Sequence, residues 1–316
     1  MFLQSADITL KRLQEASRIC GNIPRPCFEA AASPACLRYA TNEIRDAIKN
    51  TEDLSNAVIK VNSGDKIHRA FQVRPSSEDR FWNTCPVEPV SDWALSEIMA
   101  DLHRRTVDAA YRFYRVIRVP SSSVLCERML ETYLHPFLQT PQTFTIESLD
   151  NRSTTLEIHL TSNINTFRDM KYFSSHLASS VKSNKSCYLQ PLSPVFPSFN
   201  SFLYQAGISQ SGFSPVIALQ VTTAAKHAIN IKGLENVQNL LKSQVPELKT
   251  LRPIKARKMI ILFVVPDTLG ATFAKQEITG KDPEELKHWY DKTAQYVLTL
   301  SERRVFQALF PEILIK

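Results

Sequence analysis

Three short stretches of the chain carry side chains able to do chemistry. Between Val124 and Leu138, Glu127, Glu131 and His135 stand four apart and so share one helical stripe, with Leu130, Leu134, Phe137 and Leu138 on the packing side. Glu131 is then placed to lean toward the edge of a sheet as an anionic ligand, although the pattern alone favours a solvated face with an i,i+4 Glu to His contact. In Val216 to Thr223 a period of two puts Ala218, Gln220 and Thr222 on one face and Leu219 and Val221 on the other. Gln220-x-Thr222 sets an oxygen ligand two residues from a group able to stabilise charge developing at a phosphate. The bland alternative is a buried Gln–Thr hydrogen-bond network that fixes the core.

The third stretch is basic. His227 follows Lys226 just beyond that strand, where it serves phosphate contact, proton transfer or simply a loop. Lys249, Arg252, Lys255, Arg257 and Lys258 fall within one decade. Arg252, Lys255, Arg257 and Lys258, with Lys226 and Lys232, are the candidate contacts to a nucleic-acid backbone, each adding salt-dependent affinity. The same decade reads equally as a solvated face.

These groups need elements to position them. Residues 1–119 read as helical, with Ile8, Leu10 and Leu13, then Ala40, Ile44, Ala47 and Ile48, then Trp93, Leu95, Ile98, Met99 and Leu102 at helical spacing and no clear strand alternation. Breaks fall at Gly21 to Pro26, around Pro75, and at Pro86 to Pro89. The boundary is set at Pro120-Ser-Ser-Ser123, ahead of a helix from Val124 to Leu138. Beyond it, Phe144–Leu149 and Thr154–Leu160 alternate as a half-buried hairpin, while Val216–Thr223 and Met259–Val265 are continuous apolar runs suited to covered strands. Gly233–Leu241 and Pro283–Leu300 read as helices. The expectation is an α/β domain with a mixed sheet over 120–316, after a smaller, mainly α-helical domain over 1–119.

Composition narrows the chemistry. The 316 residues are 43% hydrophobic and include 7 glycines. No GxxxxGK[ST] occurs, which excludes a phosphate-cradling Walker loop within the chain. A net charge of +7 favours polyanionic partners. The six cysteines form no CxxC pair and signal neither zinc nor a disulfide framework. With no signal peptide and no apolar run long enough for a bilayer, a soluble protein, intracellular where it is made, is expected, with nuclear action or unconventional export left open.

Taken together, Glu127 to His135, Phe196-Pro-Ser-Phe-Asn200-Ser-Phe-Leu203, Leu219 to Thr222 with Lys226-His227 and Gly233-Leu234, Ile261 to Pro266, and Gln295 to Leu298 resemble the C-terminal region of the Crinkler and retrotransposon-hot-spot (RHS) effector families over about 124–300. The resemblance implies a restriction-endonuclease-like domain of the PD-(D/E)xK superfamily, following an ATPase of the AAA or STAND type. Residues 1–119, with Gly21 to Phe28, are similar to the helical lid of such an ATPase. Without a phosphate loop, Arg25 has no nucleotide to sense, so this part is a remnant or the chain a fragment.

In that family the acidic helix position falls on Glu131, the motif aspartate on Asn200, and Gln-x-Thr on Gln220 and Thr222. The implied catalytic set is Glu131, Asn200, Gln220, Thr222 and His227, with Glu131, Asn200 and Gln220 holding Mg²⁺. Asn200 departs from the pattern. A hard cation leans on carboxylates, so a single carboxylate with two amide oxygens holds it weakly, and impaired or lost hydrolysis is expected. The two leading readings are a DNA-binding effector or mobile-element toxin domain of nuclease descent, and a catalytically dead module that binds a host protein or nucleic acid. A lid acting in trans on another ATPase is the third. None requires a membrane.

Overall fold

The computed structural model describes residues 8–59, 66–73, 87–118, 123–192, 198–242 and 245–309. Phe196 and Pro197, the break at Pro75, Pro86 and the 120–122 joint lie outside the described residues. The chain forms two compact units, which divide between Met129 and Leu130.

The first unit is mainly helical: α1 (Leu10–Cys20), α2 (Pro24–Ala31), α3 (Pro34–Lys49), α4 (Leu54–Ile59), α5 (Asp92–Arg104) and α6 (Val107–Ile117). Helix starts follow local capping chemistry. Thr9, Ser33, Ser91 and Thr106 accept backbone N–H groups of the first turns of α1, α3, α5 and α6. Ile44, Ala47, Ile48, Ile98, Met99 and Leu102 are buried, as their spacing predicts. A short antiparallel pair, β1 (Phe71–Val73) with β2 (Val87–Pro89), was not visible in the sequence, because three residues give too little alternation to read.

The second unit runs α7 (Ser123–Leu138, from Leu130 on), β3 (Gln142–Ser148), β4 (Thr155–Leu160), β5 (Ile164–Phe167), α8 (Met170–Ser183), β6 (Cys187–Pro191), β7 (Ser201–Tyr204), β8 (Phe213–Val221), β9 (Ile229–Asn230), α9 (Ile231–Leu241), α10 (Pro246–Lys249), β10 (Lys258–Pro266), α11 (Asp267–Gly270), β11 (Ile278–Thr279), α12 (Pro283–Lys292), β12 (Thr293–Leu300) and α13 (Glu302–Leu309). Eight strands form one mixed sheet in the order β4-β3-β12-β10-β8-β7-β6-β5, and β9 pairs with β11 separately. The fold is α/β, with helices flanking a large mixed sheet.

The continuous apolar runs occupy the middle. β8, β10 and β12 are parallel and buried along nearly their whole length, as both faces are covered. A parallel pair needs a crossover, which α9 supplies between β8 and β10. The β3–β4 hairpin alternates buried and exposed residues as expected. One expectation fails: Pro283–Leu300 is not a single helix, since α12 ends at Lys292 and Thr293–Leu300 is strand β12. Apolar Tyr296-Val-Leu298 fits either periodicity over so short a run, and pairing with β10 decides for a strand.

The two faces of this sheet are distinguished by their side chains. Phe202, Ala218, Ile261 and Phe263 pack in one cluster with Phe173 and Leu177 of α8 and Leu234 and Val237 of α9. On the other face, Tyr188 bonds both His135 of α7 and Ser201 of β7.

Candidate functional site

A cleft of about 550 Å³ opens where β7 begins and β8 ends, and Glu131, His135, Asn200, Gln220 and His227 all line it. Four of the five residues assigned from sequence as catalytic are thus brought together. Thr222 is not among them. It is fully buried, its Oγ1 accepts Ala224 N–H at 3.1 Å, and its own N–H donates to Val264 O.

Glu131 comes from α7, whose Leu130, Leu134, Phe137 and Leu138 are buried as the stripe predicted. His135 is buried rather than solvated. Its Nε2 lies 3.3 Å from Glu131 Oε1 and its Nδ1 2.7 Å from the Tyr188 hydroxyl. That hydroxyl donates in turn to Ser201 Oγ at 2.7 Å. Burial drives the Tyr188 phenol well above its ordinary pKa, so it stays a neutral donor and acceptor. A polar chain therefore runs from the cleft through α7 into the sheet, and every hydroxyl in it is satisfied.

Asn200 and Gln220 sit side by side in the β7–β8 ladder. Asn200 N–H donates to Leu219 O at 2.9 Å, and Asn200 Oδ1 accepts Val221 N–H at 2.7 Å. Gln220 Nε2 donates to Val221 O at 3.0 Å, while Gln220 Oε1 is buried without a hydrogen-bond partner. Gln220 and Thr222 bond to separate backbone groups rather than to each other. Alternation along β8 sends Gln220 to the α8/α9 face with Ala218, whereas α7 covers the other face. Glu131 and Gln220 thus approach the cleft from opposite faces and share it because it lies at the rim.

Upstream of β7, Ser198 holds a left-handed backbone at φ 66°, unusual outside glycine, and its Oγ accepts Asn230 N–H at 2.8 Å. His227 stands in the loop between β8 and β9. Its backbone N–H donates to Gln276 Oε1 at 2.6 Å, and burial lowers its pKa below the usual 6.5. Gln276 is tied to Gln295 of β12 by reciprocal bonds of 2.7 and 2.8 Å, so two glutamines distant in sequence hold the His227 loop. Gln139 and Gln190 also line the cleft, bonded at 2.9 Å. Nothing in local sequence marks Tyr188, Gln190 or Gln276, whose roles arise from cross-strand neighbours.

The donors do not suit Mg²⁺. Among the described residues Glu131 is the one carboxylate of the cleft, its Oε1 faces His135, and Asn200 Oδ1 is already engaged by Val221. Among the described residues no group of three or more His, Cys, Asp or Glu side chains is placed to hold a metal ion. A hard cation that prefers carboxylates finds too little negative charge here.

The basic residues do not converge on this cleft. Lys226 and Lys232 are exposed and outside its lining. Lys258 pairs with Phe213 at the start of β8, whereas Gln220 pairs with Phe263 near its end. The two lie seven positions apart along β8, so Lys258, which ends the basic decade, is roughly 20 Å away toward the opposite end of the sheet. There Arg252 Nε donates to Leu241 O, Arg257 to Arg252 O, and Lys255 pairs with Asp291 at 3.4 Å. In the first unit, Arg25 is exposed and bonds Glu29 at 3.0 Å, one turn along α2. Among the described residues no helix is long and apolar enough to cross a membrane. No known family, curated protein or solved structure matches this chain.

Proposed function

We propose that residues 130–309 are a domain of restriction-endonuclease descent, of the Crinkler and RHS kind, that has lost metal-dependent hydrolysis and serves as a binding module. The observation that carries this reading is the shared cleft of Glu131, Asn200 and Gln220, which contains a single carboxylate among its described residues. Support for the descent comes from the antiparallel run β6-β7-β8 followed, through α9, by parallel β10, with α7 laid on the sheet beside it. Support for the loss of hydrolysis comes from the amides at 200 and 220, which supply oxygen atoms but no charge.

Nucleic acid, DNA first, is the partner to test against a host protein. The chain carries +7, and the basic residues at the far end of the sheet, Lys255 exposed and Arg252, Arg257 and Lys258 half-buried, offer a backbone contact independent of the cleft. The experiment is incubation of the intact protein with plasmid DNA and Mg²⁺ or Mn²⁺, beside Asn200→Asp. No cutting by the parent is expected, and cutting gained only in Asn200→Asp identifies a decayed enzyme. Metal-dependent cutting by the parent, lost in Glu131→Ala, overturns the reading.

A further inference from the structure

With its two histidines neutral, the cleft carries formal charge of one sign. Among the described residues lining it there is neither lysine nor arginine, and Glu131 is the one carboxylate. His135 approaches its Oε1, which leaves Oε2 to a ligand. Gln220, itself only 5% exposed, adds an acceptor with no donor: Oε1 is buried and unpartnered. Turning the amide over gives no relief, because Oε1 would then face Val221 O, the acceptor that now fixes Nε2. A buried acceptor left unpaired is costly and calls for a donor.

Part of the wall is aliphatic. Pro136, Ile164, Pro191 and Leu192 line it, and Leu192 is 56% exposed. These properties sort the ligand classes. A phosphate would meet a carboxylate and, among the described lining residues, no lysine or arginine. A divalent metal would lack anionic ligands. Among the described lining residues, Phe199 is 3% exposed, which leaves the half-buried His227 imidazole as the ring open to a nucleobase. An alkylammonium group has three donors and no acceptor, carries the complementary charge, and brings a methylene stem suited to an aliphatic wall.

We propose that this cleft binds a primary alkylammonium group. Glu131 pairs with its charge, Gln220 Oε1 accepts an N–H once its side chain turns out from its buried position, and Ile164 and Leu192 cover its stem. The source is a free diamine or polyamine, or a lysine side chain of a partner protein. The inference rests on the reading of the cleft as a binding site rather than a metal centre, and deepens it.

Calorimetric titration of the intact protein tests it, with 1,5-diaminopentane and with a short lysine peptide, each beside its side-chain-acetylated form. Saturable binding of at least one amine is expected, abolished by acetylation and weakened about tenfold or more in Glu131→Gln. Gln220→Leu serves as second variant, and the acetylation comparison needs no variant at all. Whichever amine binds more tightly identifies the source. Binding that survives acetylation, no binding of either amine, or tighter binding of Mg²⁺ or dAMP overturns the proposal. Failure of this titration leaves the loss of metal-dependent cutting standing, while cutting by the parent would overturn that loss without any change in the amine titration.

Discussion

The Asn200 side chain closes the β7–β8 ladder by accepting the buried Val221 N–H on Oδ1 at 2.7 Å. An aspartate at this position keeps the acceptor, and an alanine does not. Asn200→Asp is therefore expected to unfold within about 0.5 kcal/mol of the parent, and Asn200→Ala to lose about 1–2 kcal/mol from the unpaired donor. Urea midpoints compare them, and equal losses in both would contradict the structural role of Oδ1.

The hydroxyl of Tyr188 joins His135 to Ser201 inside the sheet. Tyr188→Phe keeps the ring and removes both contacts, for an expected loss of about 1–3 kcal/mol. Combined with Ser201→Ala, the two losses should fall short of additive by at least about 0.5 kcal/mol, because the residues share one bond. Strict additivity would place the two side chains in separate environments.

Burial lowers the His227 pKa below 6.5, so the unfolded chain binds the proton more readily than the folded one. The stability this histidine confers is fully present above pH 6.5 and is lost as pH falls through the folded value. His227→Gln is expected to flatten the slope of Tm against pH below 6.5 and to leave it unchanged above. An unchanged slope below 6.5 would mean that His227 titrates as in the unfolded chain.

Gly21 ends α1 at φ 70°, and a Cβ built there would lie 1.7 Å from Val90 O. Both the backbone conformation and the space exclude a side chain. Gly21→Ala is expected to destabilise the protein by at least about 2 kcal/mol, read from urea unfolding. A variant as stable as the parent would show that α1 and the segment at Val90 move apart at no cost.

Much of the fold follows from patterns that any stretch of this chain displays by itself. The β3–β4 hairpin is written in two-residue alternation, the covered strands β8 and β10 in unbroken aliphatic runs, and the buried side of α7 in Leu130, Leu134, Phe137 and Leu138. Periodicity is a local property, and solvent partition acts on it directly. The strand Thr293–Leu300 was hidden because its short apolar run satisfies two periods, and only the ladder to β10 selects between them.

The candidate site divides in the same way. The residue types Glu131, Asn200, Gln220 and His227, the scarcity of carboxylates among them and the positive net charge belong to the sequence alone. That these four share a cleft, that Thr222 is buried outside its lining, and that Lys258 lies at the far end of the sheet are decided by strand order and register. So is the unpaired Gln220 oxygen, since hydrogen-bond satisfaction depends on which chemically ordinary neighbours the sheet brings within about 3 Å. Spacing along a chain fixes which face of its own element a side chain takes, and only the packing of separate elements fixes what it meets.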